Sequence, residues 1–151
     1  MAEASRRAAR QAGKGGLENA LFAVGAAASA PVELGGVAGL VTVTFPWGSL
    51  LRGCLGKDRA ASAGIRSLVA RGGELAMVLA PADRDRLGDV PTARAAVIAA
   101  AGATFEALGL TLVEGRPMAA EELRESRSSW ARRLLRDGGD REATLVRFRS
   151  P

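Results

Sequence analysis

Apolar, β-branched runs alternate along this chain with Ala-rich helical stretches, and that alternation constrains the fold more than any other feature. Asn19 to Gly25 reads as a short buried strand. Leu40 to Phe45 (Leu-Val-Thr-Val-Thr-Phe) reads as a strongly β-branched one, and Glu74 to Leu79 as an apolar strand buried on both faces. Between the last two, Ser49 is placed to cap a helix over Leu50–Cys54 that carries Leu50, Leu51, Cys54 and Leu55 on one face. Arg59 to Val69 is a second helical stretch, closed by Arg71-Gly72-Gly73. A polar loop follows from Pro81 to Pro91, then a long Ala-rich helix from Thr92 to Leu108. Leu110 to Arg116 is a strand, Ala119 to Ser126 a short acidic helix, and Ala143 to Phe148 a final strand. The pattern predicts an α/β sheet with parallel members and a strand pair at its end.

With 151 residues there is room for one domain and hardly two. The chain has no His and a single cysteine, Cys54. That excludes His-based general-base chemistry, an intramolecular disulfide and a Cys or His metal cluster. No metal cofactor is therefore expected. Net charge is +5, with the excess cations at the two ends. Arg6, Arg7, Arg10 and Lys14 stand near the start, Arg132, Arg133 and Arg136 near the end, and the body between is close to neutral. Such a distribution predicts a localised anion-binding face, with plain solubilisation by arginine as the alternative. No signal-peptide core is visible, and the longest apolar run, Ala20 to Val32, is too weakly hydrophobic to span a bilayer. The expected location is the cytoplasm.

Three short motifs stand out. Gly13-Lys14-Gly15-Gly16 lacks the spacing of a phosphate loop and reads as a turn, with Lys14 available to a phosphate as a point charge. Pro46-Trp47 lies just past a strand's carboxyl end, where open α/β sheets bind ligands. A tryptophan there, between a rigid proline and a permissive glycine, is suited to offer a flat face to a planar ligand; the alternative is a core residue capping the sheet. The Ser49 hydroxyl at the following helix start could hold a polar cofactor group. Trp130, in Ser128-Ser129-Trp130-Ala131-Arg132-Arg133-Leu134, is an aromatic set among cations, the pattern of base stacking with phosphate pairing; the alternative is helix packing.

In chain order, Gly15-Gly16-Leu17 with Asn19, the run Phe45-Pro46-Trp47-Gly48-Ser49-Leu50-Leu51-Arg52-Gly53 with Leu55-Gly56, and Ser128 through Leu134 together resemble the Kam/Npm-type aminoglycoside-resistance enzymes. Those enzymes use S-adenosylmethionine to methylate N1 of adenine 1408 in 16S ribosomal RNA of the 30S subunit. The resemblance runs over essentially the whole chain. It implies a class I (Rossmann-like) methyltransferase sheet that is incomplete, missing the first two strands, with a basic segment over residues 1–16 and a partial methyltransferase domain over 17–151. It also implies base flipping, with Trp47 and Trp130 sandwiching the extruded adenine, Pro46 fixing the first and Ser128 buttressing the second. Stacking of this kind contributes about 1–3 kcal/mol per base. Ser49 and Trp47 would contact the cofactor, and Ala28 stands where the family carries an acidic cofactor ligand. The basic residues at both ends, Arg6, Arg7, Arg10, Lys14, Arg132, Arg133 and Arg136, would grip rRNA phosphates. The family's aspartate-glycine loop is not found, so weak cofactor binding is expected. A non-catalytic RNA-binding remnant and a class I fragment with another substrate are the competing readings.

Overall fold

A computed structural model of the chain describes residues 20, 24–125, 131 and 142–151. Within them, strands β1 (Ala38–Thr44), β2 (Val69–Leu79), β3 (Thr111–Pro117) and β4 (Thr144–Arg149) form one sheet in the order β1-β2-β4-β3. β1 runs parallel to β2, while β4 is antiparallel to both β2 and β3. Helices α1 (Gly48–Cys54) and α2 (Arg59–Leu68) connect β1 to β2, and α3 (Arg94–Glu106) and the short α4 (Ala120–Glu125) follow. The expected order of elements from Leu40 onward, including a strand pair at the end, is the one observed, and that pair is antiparallel.

One face of the sheet carries the core. Val43 from β1, Leu75, Met77 and Leu79 from β2, and Val146 and Phe148 from β4 pack with Leu51, Cys54, Ile65, Val97, Ala101 and Phe105 from the first three helices. Full burial of each larger side chain contributes about 1.5–3 kcal/mol. Phe105 of α3 meets Phe148 with ring centroids 5.3 Å apart and the planes tilted by 50°, a favoured aromatic arrangement. Asp58 caps the start of α2, where its carboxylate accepts a hydrogen bond from the Ala61 N–H at 3.0 Å.

The opposite face is uncovered over much of its area, which corrects the reading of β2 as doubly buried. Along β2, Leu75, Met77 and Leu79 are buried whereas Glu74, Ala76 and Val78 are only half-buried. Helices α1 to α3 supply the first-face core, whereas only the short α4 joins the second face, so the period-two pattern shows through the apolar composition. This second face carries an ion-pair ladder instead: Glu74 with Arg147 and Arg149, Glu114 with Arg147 and Arg116, and Arg116 with Glu122 of α4. β1 is an edge strand with Leu40 exposed. Among the described residues, six of the seven large exposed apolar side chains lie between Val24 and Trp47.

Three local expectations change. Of the strand expected over Asn19–Gly25, the residues described (Ala20, Val24 and Gly25) are not in a strand, and the others lie outside the described residues. Arg71-Gly72-Gly73 does not close a helix; α2 ends at Leu68 and the triplet is part of β2, where the register with β1 slips between Ala38 and Leu40. Gly73 is needed there, because a Cβ on it would stand 2.9 Å from the Ala38 carbonyl oxygen. Finally, Ser49 is not the cap of α1: the helix begins at Gly48, with Trp47 as its N-cap and Ser49 already inside the first turn.

Candidate active site

The sheet topology gathers one set of chain ends. Thr44 of β1 pairs with Val78 of β2, and Leu79 pairs with Thr144, the first residue of the antiparallel β4. Pro117, at the end of β3, pairs with the same Thr144. The carboxyl ends of the parallel strands, which is where α/β sheets place their ligand sites, therefore coincide with Pro46-Trp47, Pro81, Met118 and Ala143.

At this end the chain leaves β1 through an unusual turn. Phe45 has φ of +49° and Gly48 has φ of +59°. A bulky residue at positive φ is an outlier costing about 1–3 kcal/mol, and it persists only where the surroundings hold it. The Phe45 N–H donates to the Val78 carbonyl at 2.9 Å, and its side chain packs against an apolar cluster of Ala80, Leu123, Ala131 and Ala143. Pro46 then fixes the next φ. Trp47 emerges 65% exposed, against the alternative of a core tryptophan. Ser49 is exposed beside it in the first turn of α1.

Behind this turn, α1 is fastened by Leu51, Gly53 and Cys54, all buried. Burial pushes the Cys54 thiol up to about 12, so the chain's one thiol is no nucleophile at neutral pH. A cleft of about 510 Å³ opens at the same end of the sheet, with Asp83, Thr92, Arg94 and Glu142 among its lining residues. Thr92 Oγ1 donates to Asp83 Oδ1 at 3.0 Å, and Arg94 is ion-paired to Glu142. Sequence reasoning took this stretch for a polar loop and missed the cleft. Its only forewarning is the placement of charged residues directly after a parallel strand's carboxyl end.

The remaining expected site residues divide sharply. Ala28 is exposed, in a one-turn 3-10 helix (Ala27–Ser29) that packs on α2. That approach is close enough that a Cβ on Gly64 would collide with the Ala27 carbonyl oxygen. Ser128, Trp130, Arg132, Arg133, Arg136, Arg6, Arg7, Arg10 and Lys14 lie outside the described residues, as does the whole basic segment expected over 1–16. Ala131, next in sequence to Trp130, is described and fully buried.

Residues 1–149 match the NpmA family, described as 16S rRNA (adenine(1408)-N(1))-methyltransferase. The chain belongs to this family. It is 37% identical over 142 residues to an rRNA methyltransferase of Saccharopolyspora hirsuta, covering 89% of this chain and 88% of that one. It is 34% identical over 140 residues to the 16S rRNA (adenine(1408)-N(1))-methyltransferase of Streptoalloteichus hindustanus, of which it spans 64%. Among solved structures, the 16S rRNA methyltransferase KamB superposes with a TM-score of 0.84 at 28% identity, over 100% of this chain and 72% of that one. A Trp-to-Ala mutant of the Catenulisporales acidiphilia 16S rRNA (adenine(1408)-N(1))-methyltransferase, crystallised with its cosubstrate SAM, superposes at 0.80 with 28% identity, over 99% and 70%. The four-stranded sheet is thus an NpmA-family methyltransferase sheet, in the incomplete form expected.

Tested against an S-adenosylmethionine molecule, the described residues fit in part. Ser49, two residues after Trp47, is exposed, and its hydroxyl suits a polar end of such a cofactor. Ala28 offers only a methyl group and cannot accept a hydrogen bond from it. No helix among the described residues is long and apolar enough to cross a membrane.

Proposed function

We propose that this chain methylates N1 of adenine 1408 in the 16S rRNA of the 30S subunit, in the cytoplasm, and thereby confers aminoglycoside resistance. The observation that carries the reading is Trp47: a large flat side chain, 65% exposed, held at the carboxyl end of a parallel strand by a strained turn. Solvent exposure of an indole costs free energy unless a partner covers it, and a flipped base is a partner of matching shape. Trp130, outside the described residues, would cover the other face of the same base, with Ser128 supporting it. Pro46 restricts the turn from which Trp47 projects.

Adenine N1 carries a free lone pair at neutral pH, so the transfer needs no general base, which agrees with a chain that lacks His. S-adenosylmethionine supplies an electrophilic methyl group when bound. The work of the chain is to hold the ring so that N1 points along the line of transfer, an orientation effect worth several kcal/mol. The product ring is cationic, and two aromatic faces favour the developing charge. Ser49 would hold a polar group of the cofactor. Arg132, Arg133 and Arg136 at one end, with Arg6, Arg7, Arg10 and Lys14 at the other, would pair with rRNA phosphates.

One observation favours a second reading, RNA binding without catalysis: Ala28 cannot do what an acidic cofactor ligand does. Transfer of a labelled methyl group to 30S subunits separates the two. Trp47→Ala is expected to lower transfer about 10- to 100-fold, the range that loss of one stacking face predicts, with an unchanged melting curve. A mutant that unfolds, or one that transfers as well as the parent, would remove Trp47 from base capture. Absence of transfer by the parent at any cofactor concentration favours the non-catalytic reading.

A further inference from the structure

Among the described residues, five glycines take positive φ, at positions 36, 48, 56, 72 and 109, and only two other residues do. One is Arg86, exposed at the end of a one-turn helix. The other is Phe45, where the cost is compounded: the ring is bulky, and the following Pro46 already disfavours the helical region for its predecessor. Glycine would relieve the backbone at this point, and the chain uses it freely elsewhere. The feature that glycine lacks is the ring, which packs against Ala80, Leu123, Ala131 and Ala143, a cluster separate from the main core.

The membership of that cluster is informative. Ala80 follows β2, Leu123 belongs to α4 and Ala143 precedes β4. Ala131 is fully buried in it and is the sequence neighbour of Trp130. Phe45 is itself two residues from Trp47. One side chain therefore connects the turn that presents the first tryptophan to the anchored residue beside the second.

We infer that Phe45 is a positioning residue: its ring, locked into this cluster, sets the direction of Trp47 and ties the Trp47 turn to Ala131. The inference deepens the base-capture reading and rests on it for its purpose, but not for its geometry. A residue that merely filled space in the cluster would change stability on substitution and leave the order of Trp47 as it was.

The test uses the ¹⁵N-labelled full chain. Phe45→Gly deletes the anchor while leaving the positive φ freely accessible, so it removes the ring without adding backbone strain. The Trp47 amide order parameter is expected near about 0.85 in the parent and below about 0.6 in the variant. The Ala131 amide resonance should shift, while Leu75 and Val146 in the main core stay unchanged. An equally ordered Trp47 in Phe45→Gly, or a Trp47 already mobile in the parent, overturns the inference. Should Phe45→Gly fail to fold, Phe45→Leu carries the same comparison: a lowered Trp47 order parameter supports the inference and an unchanged one overturns it. A target RNA with 2-aminopurine in place of the adenine reports capture separately. If the parent binds this RNA without quenching it, base capture fails, and the order parameters still decide the role of Phe45.

Discussion

Gly53 is the point at which α1 and α2 approach most tightly. A Cβ there would stand 2.6 Å from the Ala61 Cβ and 3.2 Å from its carbonyl carbon, neither of which can swing aside. The Gly53 carbonyl also accepts a hydrogen bond from the buried Ser62 hydroxyl at 2.6 Å. Gly53→Ala is therefore expected to destabilise the fold by about 1–3 kcal/mol, as overpacking does, and chemical denaturation should show it as a lower midpoint at unchanged slope. Because α1 carries Trp47 at its start, the same variant should also weaken methyl transfer. Residues differ in how far the sequence reveals them. Trp47 was legible because proline before and glycine after a tryptophan at a strand end leave few alternatives. Phe45 was not: a positive φ at a phenylalanine has no compositional signature. Ser49 was legible as a helix-start residue but misplaced by two positions, since α1 begins at Gly48 with Trp47 as its N-cap.

The ladder on the open face joins β2, β4, β3 and α4. Its firmest rung is Arg116 to Glu122, a two-pronged contact at 2.7 and 2.6 Å, supplemented by the Ala119 N–H at 2.8 Å. These contacts hold the Glu122 carboxyl well below its ordinary value of 4.5, at about 2. Arg149 and Arg147 depress Glu74, and Arg116 depresses Glu114, in the same direction. A carboxylate whose folded pKa is lowered stabilises the fold fully above its unfolded pKa and loses that contribution as pH falls toward the folded one. Stability should therefore fall between about pH 4.5 and pH 2, and Glu122→Gln should be less stable at neutral pH with a shallower acid decline. Thermal melts across that range check both statements; solvent exposure keeps the effect modest. The elements themselves were largely legible. The β-branched run at 40–45 and the Ala-rich run at 92–108 appear as β1 and α3 within a few residues. Arg71-Gly72-Gly73 misled because glycine served a close strand approach rather than a helix stop.

At the scale of the molecule, the alternation of strands and helices announced an α/β sheet, but not that α1, α2 and α3 would pack on one face and leave only the short α4 to the other. That depends on which elements pack together, and periodicity within β2 was masked by Ala76 and Val78 on the less buried side. Leu40 on the edge strand is exposed, as are the apolar side chains of Val24, Val32, Leu34 and Val37 before it. Family membership rests on the match over residues 1–149, and base capture rests on the Trp47 turn. The most direct test of both together is primer extension on 16S rRNA after 30S subunits have been incubated with the full chain and millimolar S-adenosylmethionine, a concentration chosen to offset weak cofactor binding. Methylation at N1 blocks the Watson–Crick edge and halts the polymerase. The account predicts a new stop at adenine 1408 that requires the cofactor and is strongly reduced in Trp47→Ala. A stop at another nucleotide, a stop that survives in Trp47→Ala at full strength, or no stop while the chain remains bound to the subunit would contradict it.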